Sequence, residues 1–205
     1  LSERALISNR DEFLTILNGE FFKIRGITNL VEYDYFSWLI NRDTIQKLLP
    51  VAEAIQNVLR SFNFTKIQDR DLFGGLLSTL GSTTQRQLLG QTWTPFWLAE
   101  QTANELFSRL DSKAKPHFVD PCVGSRAMAA PVSSCAQKRL VELGVAPKSS
   151  EAAEYLINAI TGFDIDPVAA QLAKVNWVAN NKAWIDFDGS FDVSIPIYNL
   201  SLIHI

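Results

Sequence analysis

The stretch HFVDPCVGSRAMAAP, residues 117–131, decides how the α/β part of this chain is interpreted. Its first four residues are a short, mostly apolar run that ends in Asp120, which predicts a strand. Gly124 then permits a tight turn and a close approach of backbone to ligand, and Ser125 can cap a following helix. This order is typical of loops that hold nucleotide-like ligands, although an ordinary structural turn can have the same pattern.

A second segment, GFDIDP at residues 162–167, supports a ligand site. Asp164 ends a predicted strand, and its carboxylate can accept hydrogen bonds from both hydroxyls of a ribose. Asp166 precedes Pro167 and is the better helix N-cap. Asp164 lies 44 positions after Asp120, whereas a nicotinamide-dinucleotide fingerprint has an acid about 20 residues on and a full G-x-G-x-x-G. The pattern therefore favours an adenosine-containing ligand without a pyrophosphate.

Alternating elements over residues 94–200 predict an α/β fold. The strand candidates are residues 117–120, 157–165 and 192–200, and the helices between them are predicted at 131–143, at 150–156 and from residue 167. This order favours a parallel, doubly wound sheet. Two predicted helix faces follow from the spacing of side chains: Leu98, Thr102, Leu106 and Leu110 in a helix capped by Thr94, and Val168, Leu172 and Val175 in the last helix.

Residues 1–89 are predicted to form a helical N-terminal region. Between residues 44 and 62 apolar side chains recur at three- and four-residue steps, which is the spacing of one helix face. Pro50 is expected to kink or restart that helix. The pattern changes after Gly90, so a second region is expected from residue 90 to residue 205.

The composition is that of an ordinary globular protein. Hydrophobic residues make up 47% of the 205 residues, charged residues 20%, and the net charge is −3, so the chain shows no basic face for nucleic acid. Two cysteines and two histidines are too few for a disulfide scaffold or a structural zinc site, and they fit a reducing, cytoplasmic setting. No signal peptide or membrane-spanning apolar run is visible.

Four short segments follow one another along the chain: DLFGG at residues 71–75, GQTWTP at 90–95, DPCVGS at 120–125 and GFDIDP at 162–167. In this order the chain resembles the adenine-N6 DNA methyltransferases of restriction–modification systems, especially the type IIG-like and type I modification enzymes. The resemblance covers roughly residues 30–200. It implies a partial class I, Rossmann-like methyltransferase fold that binds S-adenosyl-L-methionine, with the helical region before it.

The resemblance also assigns roles to individual residues. Thr94 and Pro95 would line the methionine end of the cofactor, Asp164 would hold the ribose hydroxyls, and Ile165 would pack on the adenine. The loop beneath the cofactor would consist of Asp120, Pro121, Gly124 and Ser125, with Asp120 near the amino group. The resemblance assigns no metal ligand.

Methyl transfer to an exocyclic amine needs an Asn/Asp-Pro-Pro-Tyr/Phe segment that binds the amine of a flipped-out base. These 205 residues contain no such run and no target-recognition domain. We therefore expect the N-terminal part of a longer enzyme, inactive alone, which contacts double-stranded DNA mostly through parts outside this chain. A specificity or nuclease domain or subunit is the further partner that the resemblance implies, and a membrane is not.

Three positions depart from the family pattern: Arg126 where a second glycine is usual, Pro131 shortly after it, and Ser201 where a further acid is usual. A helix that began at Ser125 would have Pro131 in its interior, and one that began at Pro131 would lengthen the loop. Two alternatives stay open: a class I methyltransferase with another substrate, and a degenerate, non-catalytic subunit for DNA binding or assembly.

Overall fold

The computed structural model describes residues 10–32, 42–61, 94–125 and 128–200. The chain divides into two compact units, one made of residues 1–66 and 187–192, the other of residues 67–186 and 193–205. The boundary predicted between residues 89 and 90 lies outside the described residues, as do DLFGG and the first four residues of GQTWTP. That boundary therefore stays a prediction.

The described part of the first unit is helical, as the sequence predicts. It contains α1 (Arg10–Leu17), α2 (Glu20–Lys23) and α3 (Arg42–Arg60). Pro50 lies inside α3, and the helix runs on through it rather than restarting there. Residues 187–192 return to this unit, where Gly189 and Phe191 lie against the turn at residues 24–26.

The second unit is an α/β structure with a parallel sheet, which confirms the predicted fold class at that level. In chain order it contains α4 (Phe96–Ser108), β1 (Phe118–Asp120), α5 (Ala129–Glu142), α6 (Ser150–Ala159), β2 (Ile160–Asp164), α7 (Pro167–Asn181) and β3 (Ile197–Asn199). The three strands lie in the order β1-β2-β3, and both pairs are parallel. This order is compatible with one half of a Rossmann-like sheet.

Several predicted boundaries were wrong, and two of the helices extend further than expected. Helix α6 runs to Ala159, so β2 begins at Ile160 rather than at residue 157. The third strand is limited to Ile197–Asn199. Helix α5 begins at Ala129, so neither Ser125 nor Pro131 starts it. Pro131 is instead its third residue, where a backbone N–H would have no intrahelical acceptor and its loss costs little.

The core is built around α5, which packs against α4, α6, α7 and β2. The buried residues of α4 lie beside the predicted face of Leu98, Thr102, Leu106 and Leu110, and those of α7 lie beside the predicted face of Val168, Leu172 and Val175. Leu98 is 41% exposed and Val168 is 47% exposed. The buried sides are rich in alanine instead, with Ala99, Ala103 and Phe107 on α4 and Ala169, Ala170, Ala173 and Trp177 on α7. Small side chains let these helices approach their neighbours closely. A pattern based on large apolar residues does not detect such alanine-rich faces.

Large buried side chains contribute to the hydrophobic stabilisation of this unit. Trp177, Leu140 and Ile197 are almost completely buried, and each contributes roughly 1.5–3 kcal/mol relative to an exposed position. Among the helices of the described ranges, none has both the length and the apolar composition required to cross a membrane.

Candidate binding site at the carboxyl edge of the sheet

The three strands end in polar side chains at one edge of the sheet. The register pairs Asp120 of β1 with Gly162, and Asp164 of β2 with Asn199 of β3. Because the strands are parallel, their carboxyl ends meet at this edge, which is where ligands bind in open α/β sheets. The structure thus brings Asp120 and Asp164, two of the predicted site residues, to the same edge.

The loop after β1 folds back across the end of β2. The Val123 N–H donates to the Phe163 carbonyl at 2.8 Å, and the Val123 side chain is fully buried. A Cβ added to Gly162 would lie only 2.8 Å from Val123 Cγ2. Position 162 therefore requires glycine because the loop from β1 packs directly on it. This contact joins the two segments, DPCVGS and GFDIDP, that the sequence singles out.

Asp164 holds this arrangement with both carboxylate oxygens. Oδ2 accepts a hydrogen bond from the Gly124 N–H at 2.8 Å, and Oδ1 accepts one from the Asp166 N–H at 2.8 Å. Gly124 has a φ of 59°, in the left-handed region that favours glycine. A carboxylate has about four acceptor positions, so Asp164 supports two loops and can still accept hydrogen bonds from a ligand.

Asp120 lies near Asp164 and is partly buried. Burial raises the pKa of the Asp120 carboxyl above its ordinary value of 3.8; the N–H of Cys122 lowers it, and the charge of Asp164 raises it further. The Cys122 N–H donates to Oδ1 at 3.1 Å. A positively charged ligand group at this position would favour the ionised carboxylate and would offset the cost of its burial.

Asn199, which the sequence analysis did not single out, fixes the end of β2. Its Nδ2 donates to the Asp164 carbonyl at 2.9 Å and to the Ile165 carbonyl at 3.1 Å. Ile165 itself is 71% exposed, so an apolar side chain stands beside the acids at this edge. The sequence does place a polar residue, Asn199, near the end of the third predicted strand. By analogy with Asp120 and Asp164, that position could have indicated a residue of the site.

Ser125 does not cap a helix as expected, because α5 begins at Ala129. Its side chain is 1% exposed, and Oγ has no hydrogen-bond partner among the described residues. Leaving such a hydroxyl unsatisfied costs about 1–3 kcal/mol. The Ser125 carbonyl accepts a hydrogen bond from Nδ2 of Asn176 in α7 at 3.1 Å, a contact that no sequence pattern predicts. Pro121, the remaining predicted residue of this loop, is exposed.

Thr94 and Pro95 precede α4 and are exposed. Pro95, rather than Thr94, occupies the N-cap position, and its carbonyl accepts the N–H groups of Leu98 and Ala99. The prediction that Thr94 caps this helix was wrong by one residue. No hydrogen bond in the described part of the chain links Thr94 or Pro95 to residues 120–125, so their predicted role at the methionine end stays a prediction.

Comparison of the chain with protein-family models, with curated proteins and with solved structures finds no match. Within the described ranges, no group of three or more histidine, cysteine, aspartate or glutamate residues is arranged to hold a metal ion. The cysteines are free thiols, with Cys122 exposed in the loop after β1 and Cys135 buried in α5.

Proposed function

We propose that this chain binds S-adenosyl-L-methionine at the carboxyl edge of its sheet and contributes the cofactor site of an adenine-specific DNA methyltransferase of the class I type. The observation that carries the proposal is the hydrogen bond from the Gly124 N–H to Asp164. It joins the two segments to which the resemblance assigns the cofactor, and the loop thereby lies over the end of β2.

The chemistry of the residues at this edge fits such a cofactor. The Asp120 carboxylate suits the ammonium of a methionine group, and the unused acceptor positions of Asp164 suit two ribose hydroxyls. The exposed side chain of Ile165 offers an apolar surface for one face of an adenine. When bound, the cofactor supplies a methyl group on a sulfonium, while these residues bind and orient it.

The sequence motifs indicate the target of the methyl group. The resemblance rests on four segments in order. DPCVGS and GFDIDP lie entirely within the described residues, whereas DLFGG and most of GQTWTP lie outside them. By this resemblance, the segments would correspond to ones in enzymes that methylate adenine N6 in DNA during restriction–modification. The residues that would bind the adenine amine do not occur in this chain, so the proposed role of the chain is cofactor binding.

Isothermal titration of the 205-residue chain with S-adenosylmethionine tests the proposal. We expect binding of S-adenosylmethionine and of its demethylated product, and much weaker binding of NAD, which has a pyrophosphate and no ammonium group. The Asp120→Asn variant should lose about tenfold or more in affinity, because it removes a charged partner worth about 1.5–3 kcal/mol.

The matched control is Asp186→Asn, because Asp186 forms an exposed ion pair with Lys148 elsewhere in the same unit. It should leave the affinity unchanged. A chain that is folded by circular dichroism but gives no heat with S-adenosylmethionine would contradict the proposal, as would equal affinity for NAD.

A further inference from the structure

Asn176 is a buried polar residue of the helix that follows β2, and it contacts the loop after β1. It lies in α7, its side chain is 1% exposed, and its Nδ2 donates to the carbonyl of Ser125 at 3.1 Å. Its Oδ1 has no hydrogen-bond partner among the described residues. Within the described structure, the hydrogen bond of this buried amide is thus directed to the loop after β1.

That hydrogen bond completes a pair of anchors on consecutive residues of the loop. The Gly124 N–H is held by Asp164 at the end of β2, and the Ser125 carbonyl is held by Asn176 from α7. The peptide group between these two residues carries the Gly124 carbonyl, and its orientation is fixed from both sides. The left-handed φ of Gly124, 59°, is one that a freed loop would not need to keep.

We propose that Asn176 is a positioning residue that holds the loop after β1 in the shape that forms the binding site. The effect on ligand affinity rests on the proposed function, whereas the ordering of the loop does not. Asn176 acts through the Ser125 carbonyl and not by touching the ligand. A loop displaced by a fraction of an ångström or more would lose affinity because preorganised contacts are lost.

Asn181 provides a matched control in the same helix. It is completely buried, and its Nδ2 donates to the Trp177 carbonyl at 2.9 Å and to Ser133 Oγ at 3.3 Å. Its Oδ1 accepts a hydrogen bond from Gln137 at 3.0 Å. The contacts with Ser133 and Gln137 join α7 to α5, and none of the three involves the loop, so replacing Asn181 should weaken the fold without a selective effect on the site.

Amide hydrogen exchange of the 205-residue chain, with the variants Asn176→Ala and Asn181→Ala, tests the inference. The informative amides are those of Val123 and Gly124, which donate to β2. In Asn176→Ala they should exchange about tenfold faster relative to the amides of α5 than in the wild type, because a local opening becomes easier. In Asn181→Ala the two sets of amides should change together.

The affinity for S-adenosylmethionine gives the second readout. It should fall about tenfold in Asn176→Ala and less than about threefold in Asn181→Ala, since a misplaced binding group costs affinity without a change in chemistry. If Asn176→Ala does not fold, Asn176→Ser replaces it. Because serine keeps a short hydrogen-bond donor, we expect the same selective increase in loop exchange and the same loss of affinity, each smaller in size.

The outcomes separate the two claims. Loop amides that exchange no faster than those of α5 would overturn the role of Asn176, and so would equal affinities of the two variants in a protein whose wild type binds S-adenosylmethionine. Selective loosening of Val123 and Gly124 in a protein whose wild type binds no S-adenosylmethionine would support the role of Asn176 in ordering the loop and would reject the proposed function.

Discussion

Asp164 illustrates how much of this site depends on single residues. One carboxylate accepts the N–H of Gly124 from the loop after β1 and the N–H of Asp166 from the start of α7. Neither N–H is part of a helix or a strand ladder, and the Asp164 carboxylate satisfies both of them. The residue proposed to bind a ribose therefore also holds the loop after β1 and the start of α7 in place.

Replacement of Asp164 by alanine should destabilise the protein by about 2–4 kcal/mol, because two hydrogen bonds to a charged acceptor are lost and two N–H groups are left without it. The free energy of unfolding in urea measures this change. Asp186→Ala, which removes an exposed ion pair with Lys148, should cost less than about 1 kcal/mol. Equal losses of unfolding free energy in the two variants would contradict the role of Asp164 as the acceptor that joins the loop after β1 to the start of α7.

The close packing of Val123 on Gly162 leads to a second residue-scale prediction. Gly162→Ala should cost about 1–3 kcal/mol, because the new Cβ overlaps a fully buried side chain. Val123→Ala should also be destabilising, since it empties part of the core. The double variant should be more stable than the sum of the two losses by at least about 1 kcal/mol. Strict additivity in urea unfolding would show that the two residues do not compete for the same space.

At the scale of secondary-structure elements, the helix starts can be compared directly. Asp166 caps α7 by accepting the N–H of Val168 at 2.9 Å, which confirms its predicted role. Ser149 caps α6 by accepting the N–H of Ala152 at 3.1 Å. The first cap lies beside the candidate site, directly after Asp164 and Ile165, and the second does not share these neighbours.

Asp166→Ala and Ser149→Ala should each cost about 1 kcal/mol of stability, which is the usual value of an N-cap. Only Asp166→Ala should also weaken binding of S-adenosylmethionine, because it loosens the segment that follows Asp164. Thermal unfolding and calorimetric titration of both variants measure the two effects. A similar loss of affinity in Ser149→Ala would mean that affinity follows global stability rather than this helix start.

The elements show what the sequence can and cannot predict. Strand ends at Asp120 and Asp164 follow from apolar runs that terminate in an acid, and the parallel sheet follows from their alternation with helices. The buried faces of α4 and α7 cannot be predicted in this way, because Ala99 and Ala173 are buried in helix contacts that larger side chains would prevent. Asn176 and Asn199 also escape prediction, since their roles depend on which loop or strand lies beside them.

At the scale of the whole molecule, Asp120 links stability to pH. Its carboxyl pKa is raised above the ordinary value of 3.8, chiefly by burial. The folded state therefore holds this proton more tightly than the unfolded state does. The contribution of Asp120 to the free energy of unfolding is greatest below pH 3.8, the ordinary pKa of the group. It falls as pH rises from that value through the raised pKa of the folded state, and it is constant at higher pH.

Asp120→Asn should remove this dependence while keeping an oxygen that can accept the Cys122 N–H. The stability of the variant relative to the wild type should thus improve as pH rises through that window. Urea unfolding of both proteins across the acidic range gives the difference, in which the other titrating groups largely cancel. A difference that is flat, or that moves in favour of the wild type with rising pH, would contradict the buried position of Asp120.

The central claim is that S-adenosylmethionine binds where β1 and β2 end, between the segments DPCVGS and GFDIDP. The most direct test is a titration of the isotopically labelled chain with S-adenosylmethionine, followed by nuclear magnetic resonance of the backbone amides. The account predicts saturable shifts centred on the amides of Gly124, Ile165 and Asp166, with the amides of α1 and α3 unmoved. Shifts that centre elsewhere in the chain, or no shifts in a folded protein at saturating ligand, would contradict it.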